Sequence, residues 1–393
     1  MRVFETPIPS ISLLYGPRQI GKTASLKLFL AGVRDCETIC FLDCSTYLER
    51  RDLYESLDRH IKGKTTVVLD EVQSVDNWHL ALRALYSEGR LSDCRVWCTG
   101  SEARYLLESG ERLPGRKGDG KVVFAKPWSF RKYVSITSPP SFNALREIDF
   151  RHITQRWLNE LEMDLSTLWQ SYLVCGGFPK SVAQMVKVGA IDELTFDTYT
   201  DWVMGTWSHL RTPERSLRQL ARRLCTTMNS RVSYQALAKG TDIGSPNTVR
   251  SLLERQEDHF AIRVCSRFDL NTRAFMPAKQ KKIYPIDPFI ANVWSLFGDN
   301  IRRLRMQHLP HPALDECAFF AQTLRLENAP ETGYLYAPKT KGEIDFVFDG
   351  YCFELKSKGK PSKAQRAMLQ STPQSFLLTE QTLPVMAFLI GED

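Results

Sequence analysis

Residues 16–23 read Gly-Pro-Arg-Gln-Ile-Gly-Lys-Thr, and this stretch restricts the possible folds of the chain more than any other. It follows an apolar run at residues 10–15 that predicts a buried strand, and it precedes a run at residues 24–30 that predicts a helix. The glycines let backbone N–H groups turn inward, and the start of the following helix offers further N–H groups to an anion. The pattern therefore predicts a phosphate-binding loop, with Lys22 reaching phosphate oxygens and Thr23 binding Mg²⁺.

Residues 64–71, Lys-Thr-Thr-Val-Val-Leu-Asp-Glu, predict a second buried strand that ends in two carboxylates. In a protein with a phosphate-binding loop, an acidic pair at the end of such a strand is expected beside the phosphates. We expect Asp70 to hold Mg²⁺ through a water and Glu71 to polarise the water that attacks the terminal phosphate. The two motifs together predict that the chain binds ATP with Mg²⁺ and hydrolyses it.

Three further short apolar runs, at residues 38–43, 94–101 and 121–124, fit the same parallel sheet. Because ligands bind at the carboxyl ends of the strands in such a sheet, Thr99 or Ser101 is expected to sense the terminal phosphate. Capping of a following helix is an equally good interpretation of Ser101. The residues expected to contact the nucleotide are Gly16, Pro17, Arg18, Gln19, Ile20, Gly21, Lys22, Thr23, Asp70 and Ser101.

A glycine-rich basic loop lies at residues 112–118, Arg-Leu-Pro-Gly-Arg-Lys-Gly. Such a loop suits an arginine finger, which completes the ATP site of a neighbouring subunit and stabilises the charge of the transition state. Arg116 is the first choice for this role and Arg112 the second. A plain surface loop is the alternative.

Residues 343–356, Glu-Ile-Asp-Phe-Val-Phe-Asp-Gly-Tyr-Cys-Phe-Glu-Leu-Lys, predict a β-hairpin. Asp-Gly at its centre is a strong two-residue turn signal, and this turn pairs Phe346 with Phe353. It also sets Asp345 opposite Glu354, and directly opposed side chains on one face of a sheet lie about 5 Å apart. The predicted hairpin therefore brings two carboxylates together.

Two neighbouring carboxylates repel each other unless a cation lies between them. We therefore expect a Mg²⁺ or Mn²⁺ site at Asp345 and Glu354. Lys356, two residues beyond Glu354, shares its face and is expected to orient or activate a water. The alternative is a polar outer face that carries an ion pair between Glu343 and Lys356.

The hairpin pattern resembles the core of PD-(D/E)xK nucleases. That resemblance implies a preceding helical acid, for which Glu316 is the best match and which would be a third metal-site residue. Gln365, on the next predicted helix, matches an accessory position. A nuclease fold does not by itself imply cleavage, because similar folds also serve as binding modules.

The motifs as a set resemble a large archaeal and bacterial family of AAA+ ATPases with a C-terminal nuclease-like domain. In order along the chain they read Gly-Pro-Arg-Gln-Ile-Gly-Lys-Thr, Leu-Asp-Glu-Val-Gln, Thr-Gly-Ser, Pro-Gly-Arg, Lys-Pro-Trp-Ser-Phe-Arg-Lys-Tyr and Gly-Gly-Phe-Pro. The resemblance implies an AAA+ fold whose active site is completed by homo-oligomerisation, as a ring or a dimer.

The expected fold class is α/β, and a chain of 393 residues has room for about two to four domains. We expect a P-loop AAA+ core with a parallel sheet, a helical lid, a winged helix and a C-terminal restriction-endonuclease-like α/β domain. The winged helix would place lysines of its wing, among them Lys281 and Lys282, against phosphates. The predicted boundaries are 1–135, 136–220, 221–290 and 291–393.

The formal net charge is +7, and the Lys and Arg clusters lie mainly in the second half of the chain. This balance favours DNA as a partner. The ten cysteines form no Cys-x-x-Cys pair and lie mostly in apolar runs, so we expect reduced core residues in a cytoplasmic protein. No apolar run reaches the roughly 18 residues of a membrane span, and no membrane partner is expected.

The sequence thus predicts an oligomeric ATPase that binds DNA and carries a metal-dependent DNA nuclease domain. The alternative is an ATP-switched scaffold or regulator whose nuclease-like domain binds DNA or protein without cleavage.

Overall fold

The computed structural model describes residues 4–32, 39–47, 49–102, 119–207, 212–299, 313–325, 331–356, 359–372 and 374–391. The chain forms two compact units. The N-terminal unit comprises Met1–Lys126 with Asp258–Phe260, and the C-terminal unit comprises Pro127–Glu257 with Ala261–Asp393.

The N-terminal unit is built on a five-stranded parallel sheet in the order β2-β3-β4-β1-β5. The strands are β1 (Ser10–Tyr15), β2 (Ile39–Asp43), β3 (Thr66–Asp70), β4 (Arg95–Gly100) and β5 (Val122–Phe124). The helices described between them are α1 (Lys22–Ala31), α2 (Arg50–His60) and α3 (Trp78–Ser87). The strands predicted from apolar runs are all present, with ends that shift by one or a few residues.

Both faces of this sheet are buried. Val67 and Leu69 of β3 belong to one apolar core, whereas Val68 between them belongs to another. Alternate residues of a strand point to opposite faces, so apolar side chains cover the sheet on both sides, as is usual for parallel sheets. The sheet therefore holds the carboxyl ends of its strands in fixed positions.

The C-terminal unit begins with a largely helical stretch and ends in an α/β arrangement. Its helices are α4 (Phe130–Thr137), α5 (Pro139–Leu145), α6 (Gln155–Glu160), α7 (Ser166–Cys175), α8 (Pro179–Val188), α9 (Glu193–Gly205), α10 (Glu214–Thr226), α11 (Tyr234–Lys239), α12 (Pro246–Asp258), α13 (Pro288–Asp299), α14 (Leu314–Thr323), α15 (Lys363–Gln370) and α16 (Thr382–Ile390). Residues 136–220, expected to be helical, contain α5 to α9 and the first half of α10.

A six-stranded mixed sheet in the order β11-β10-β9-β8-β6-β7 completes this unit. Its strands are β6 (Ile262–Asp269), β7 (Ala274–Pro285), β8 (Gly333–Ala337), β9 (Gly342–Phe348), β10 (Tyr351–Lys356) and β11 (Gln374–Thr379). From α14 onward the chain order is helix, three antiparallel strands, helix and a fourth strand that runs parallel to β10.

The sequence predicted that a winged helix ends at residue 290 and that a separate domain follows. In the structure, one six-stranded sheet contains strands from both sides of that position. β6 pairs in parallel with β8, so that Ser266 and Phe268 lie opposite Gly333 and Leu335. The long hairpin of β6 and β7 therefore extends the same sheet as the final hairpin. Sequence patterns cannot show this pairing, because it joins strands that are far apart along the chain.

The Gly-Gly-Phe-Pro motif has a packing role in the C-terminal unit. Gly176 has a left-handed φ of +56°, and a Cβ there would lie 1.8 Å from Oδ1 of Asp287. The N–H of Gly177 donates to the other carboxylate oxygen of Asp287 at 2.8 Å. Burial raises the pKa of Asp287 to about 7. The two glycines therefore let the backbone wrap a buried carboxylate.

Nine of the cysteines are described, and all nine are buried with free thiols. In the described part of the chain, no helix combines the length and the apolar character needed to cross a membrane.

Candidate functional site

The loop at residues 16–23 joins β1 to α1, as its sequence predicts. Gly21 caps the helix with a left-handed φ of +89°, and α1 begins at Lys22. A Cβ on Gly16 would lie 2.3 Å from the carbonyl oxygen of Ala125, so only glycine fits this approach of two backbones. The loop backbone is thus fixed at both ends by glycines.

Lys22 is buried beneath this loop. Its Nζ donates to the carbonyl oxygens of Gly16 and Pro17, each at 3.0 Å. Burial lowers the pKa of Lys22 to about 8, although the charges of Glu71 and Asp70 oppose that shift. The ammonium is therefore poorly solvated and is held where the loop would receive phosphate oxygens.

Thr23 and Asp70 meet at the carboxyl end of β3. The Thr23 hydroxyl donates to Oδ2 of Asp70 at 2.7 Å, and the Thr99 hydroxyl donates to Oδ1 of the same carboxylate. A hydroxyl and a carboxylate at this separation are the oxygen donors that Mg²⁺ prefers beside nucleotide phosphates. The residues present therefore fit a Mg²⁺ site.

Glu71 has a strained backbone and a well-held side chain. Its φ of 54° and ψ of 46° are left-handed, which costs a residue other than glycine about 1–3 kcal/mol. Its N–H donates to Oγ1 of Thr99 at 3.0 Å, and its carboxylate accepts hydrogen bonds from Gln73 and, at 3.4 Å, from Ser101. These contacts hold the carboxylate at the edge of the sheet next to Asp70.

The sheet therefore brings together most of the residues predicted for the nucleotide site. Pro17 and Ile20 are buried, Arg18 and Gln19 are exposed, and Nε of Arg18 approaches Oγ of Ser101 at 3.5 Å. Arg116 and Arg112, the arginine-finger candidates, lie outside the described residues.

Gln73 was given no role from the sequence, and it donates to both Glu71 and Ser101. It is the last residue of the Leu-Asp-Glu-Val-Gln motif, which was the signal that could have found it. Thr99 was named only as a phosphate sensor, whereas it also bonds both members of the acidic pair.

The lowered pKa of Lys22 predicts a pH dependence for nucleotide binding. Above pH 8 the amine of the free protein is increasingly neutral, and binding the phosphates must then recruit a proton. We expect ATP affinity to fall as the pH rises through 8, by up to about ten-fold per pH unit. Titrations of ATP binding from pH 6 to 10 would check this, and an affinity that rises with pH would contradict it.

The C-terminal unit carries the second predicted site. Glu316 lies on α14, Asp345 on β9, and Glu354 and Lys356 on β10. Near its turn the hairpin has the predicted register, because Phe348 pairs with Tyr351 and Phe346 with Phe353, but the ladder does not include the predicted pair of Asp345 with Glu354. Beyond that pair, Oδ2 of Asp345 accepts a hydrogen bond from the N–H of Leu355 at 3.0 Å, so the carboxylate itself continues the contact between the strands.

Lys282 lies among the acidic groups. Its side chain is 0% exposed, and its Nζ lies 2.9 Å from Oδ1 of Asp345, 2.9 Å from Oε1 of Glu343 and 3.3 Å from Oε2 of Glu316. The Tyr284 hydroxyl also donates to Oε2 of Glu316, at 2.8 Å. From the sequence, Lys282 was expected to contact phosphates on the wing, and its burial rules out that role.

Glu354 is completely buried. Its Oε1 accepts hydrogen bonds from Lys356, at 2.8 Å, and from Gln365, whereas its Oε2 is buried without a hydrogen-bond partner. Burial, followed by the charge of Asp345, raises the pKa of Glu354 to about 8. The same two causes raise the pKa of Glu316 to about 7.

The alternative ion pair between Glu343 and Lys356 does not form. Glu343 pairs instead with Lys282 and, at 2.6 Å, with Arg231. Lys356 pairs with Glu354, two residues before it on the same strand. Lys356 therefore faces the predicted metal residue rather than solvent alone.

These carboxylates have the right chemistry for Mg²⁺ or Mn²⁺, but their present geometry does not form such a site. Within the described ranges, no three acidic, imidazole or thiol groups are arranged to hold a metal ion. Oδ1 of Asp345 and Oε2 of Glu316 already contact Lys282. Oε2 of Glu354 is buried and has no hydrogen-bond partner.

Comparison with known families agrees with the geometry of the N-terminal unit. Residues 9–134 match the family described as AAA domain. The match spans nearly the whole N-terminal unit, which is therefore similar to an AAA domain. The matched residues include the phosphate-binding loop, Asp70, Glu71 and Ser101. Residues 166–300 match a family described only as a domain of unknown function. No curated protein matches the chain.

Solved structures similar to the chain are distant. An Aeropyrum pernix ORC2 protein in ADPNP and ADP complexes is 12% identical with a TM-score of 0.41, covering 76% of this chain and 89% of its own. An Aeropyrum pernix ORC1 protein in complex with DNA is 13% identical with a TM-score of 0.34, covering 75% and 88%. A Thermotoga maritima RuvB variant is 14% identical with a TM-score of 0.34, covering 68% and 85%. These scores are too low to bear on function.

Proposed function

We propose that the AAA domain hydrolyses ATP and that the protein couples this hydrolysis to DNA. The observation that carries the first part is the contact between Thr23 and Asp70 at the mouth of the phosphate-binding loop, with Glu71 beside it. A loop built only to bind an anion has no need of two strand-end carboxylates, which would repel the ligand in the absence of Mg²⁺.

Each residue of the site has a distinct task in this proposal. The loop N–H groups and Lys22 bind and orient the phosphates, and Thr23 with Asp70 hold Mg²⁺, which when bound screens the phosphate charge. Glu71 orients the attacking water and accepts its proton. Ser101 senses the terminal phosphate, and Gln73 positions the carboxylate of Glu71. Arg116 of a neighbouring copy completes the site in a homo-oligomer, a ring or a dimer.

DNA is the proposed partner of the C-terminal unit. Helix α12 follows α11 after a short turn and presents Asn247, Thr248, Arg250 and Ser251 to solvent, whereas Arg255 is half-buried. A pair of helices with polar, basic side chains on the second is typical of helix-turn-helix modules, which place that helix in the major groove. The net charge of +7 favours the same partner.

The coupling predicts that duplex DNA stimulates ATP turnover at low salt. The stimulation should fall by at least about ten-fold between low and physiological salt, because phosphate contacts release counterions. Arg250→Ala should weaken it, whereas Arg156→Ala should not. Both arginines are exposed and pair with a glutamate four residues later, so the two changes are well matched. Turnover that is unaffected by DNA at every salt concentration would contradict the coupling.

A second activity, metal-dependent DNA cleavage, is proposed for the C-terminal site. The observation that favours it is the buried Oε2 of Glu354, which has no partner and lies in a side chain paired with Lys356. In this proposal Asp345, Glu354 and Glu316 would hold Mg²⁺ or Mn²⁺ once Lys282 no longer contacts Asp345 and Glu316, and Lys356 would orient the attacking water. The alternative is an ATP-switched scaffold whose nuclease-like domain binds DNA or protein without cutting it.

A further inference from the structure

Glu316, Glu343 and Asp345 form an acidic cluster whose charge is balanced by Lys282, a residue of the chain itself. Lys282 extends from β7, which lies at the far edge of the sheet from β11, and its Nζ contacts Asp345, Glu343 and Glu316. An ammonium has three N–H donors, and three carboxylates here accept from it or lie within ion-pair distance. The donor capacity of Lys282 is therefore filled entirely by acidic side chains.

Lys282 thus supplies the positive charge that a divalent ion would otherwise supply to these carboxylates. Buried carboxylates need a nearby cation, since an unpaired charge in the interior is strongly unfavourable. Lysine suits this task because its charge is compact. The side chain of Lys282 is 0% exposed, so its charge is balanced by these carboxylates and not by bulk water.

Lys282 occupies carboxylate oxygens that a divalent ion could otherwise bind. Oδ1 of Asp345 and Oε2 of Glu316 bond Lys282, and Oδ2 of Asp345 is already bonded to the backbone of β10. An ion bound by Asp345 and Glu316 would lie within a few ångströms of the ammonium, and two cations that close repel each other strongly.

We propose that Lys282 competes with a divalent metal ion for the carboxylates of the C-terminal site and so keeps the metal affinity of that site low. The competition rests on the proposed metal-dependent activity only in that both require Asp345 and Glu316 to be able to bind a divalent ion. Because Lys282 balances the charge of the cluster, the cluster is stable without metal. Binding of a divalent ion then depends on the position of β7, which carries Lys282.

The test is Mn²⁺ binding to the nucleotide-free, full-length protein. Lys282→Met should bind Mn²⁺ at least about 100-fold more tightly than wild type, because a positive charge next to the ion is removed. Lys281→Met is the matched control and should behave as wild type, since that ammonium lies 4.3 Å over the ring of Tyr234 instead. Adding Asp345→Asn to Lys282→Met should abolish the gain.

A second readout is thermal stability. Wild type should melt at the same temperature in EDTA and in Mn²⁺, whereas Lys282→Met should be less stable in EDTA and regain stability in Mn²⁺. Lys282→Met leaves Asp345 and Glu316 without their cation, whereas Glu343 keeps Arg231. The double variant Lys282→Met with Glu343→Gln lowers the remaining negative charge of the cluster, which favours folding in EDTA. Its Mn²⁺ affinity should also exceed that of wild type.

Equal Mn²⁺ affinities of wild type and both variants would overturn the competition, whatever the cleavage assays show. Tight Mn²⁺ binding by Lys282→Met without DNA cleavage by any form would support the competition and remove the proposed nuclease activity. Tight Mn²⁺ binding by wild type would overturn the competition and leave the nuclease proposal intact.

Discussion

Glu71→Gln is expected to bind ATP as tightly as wild type while hydrolysing it about 10²–10⁴-fold more slowly, the usual contribution of a positioned general base. Glutamine has nearly the same shape and keeps an oxygen that can accept hydrogen bonds from Gln73 and Ser101. It cannot accept a proton from the attacking water. The change should therefore separate binding from hydrolysis.

Glu88→Gln is the matched control for this variant. Glu88 is an exposed glutamate of the same domain that accepts a hydrogen bond from Tyr54 at 2.9 Å. Its replacement should leave both ATP affinity and turnover at wild-type values. Loss of ATP binding in Glu71→Gln, with the fold intact, would show that Glu71 supports the loop instead of the chemistry.

Asp345→Asn is expected to remove divalent-dependent nicking of plasmid DNA, by about 100-fold or more, without changing ATP turnover. Asparagine can still accept the hydrogen bond from the N–H of Leu355, so the strand contact can persist. The loss would come from the missing charge at the carboxylate that both Lys282 and a metal ion use. Because Lys282 competes, wild type should nick only at high Mn²⁺ or Mg²⁺ concentration.

Asp349→Asn is the control in the same hairpin. Asp349 lies in the turn with a φ of 49°, a conformation that asparagine adopts readily. This variant should cut as wild type does. If Asp345→Asn lowered ATP turnover as well as nicking, the residue would be structural, and if wild type did not nick at any metal concentration, the scaffold alternative would stand.

The N-terminal site could be predicted from the sequence because its signals are local. Each strand of a parallel sheet ends in its own motif, so the loop at residues 16–23 and the acidic pair after β3 could be placed at one edge without knowing the strand order. The contacts of Gln73 could not be predicted from the sequence, because they depend on the left-handed turn at Glu71.

The C-terminal hairpin was also predictable, because Asp349-Gly350 determines its register. The role of Lys282 was not predictable from the sequence. It depends on the pairing of β6 with β8, which brings the hairpin of β6 and β7 into the same sheet. A lysine in a basic stretch of sequence usually faces solvent. Only the structure shows that this one is buried among three acids.

The measurement that tests the central claim most directly is the single-turnover hydrolysis of ATP, with Mg²⁺, by wild type and by Glu71→Gln at equal nucleotide occupancy. The account predicts that wild type releases phosphate and that Glu71→Gln retains intact ATP. Equal rates for the two proteins, or no phosphate release by wild type in the presence of DNA and at high protein concentration, would contradict it.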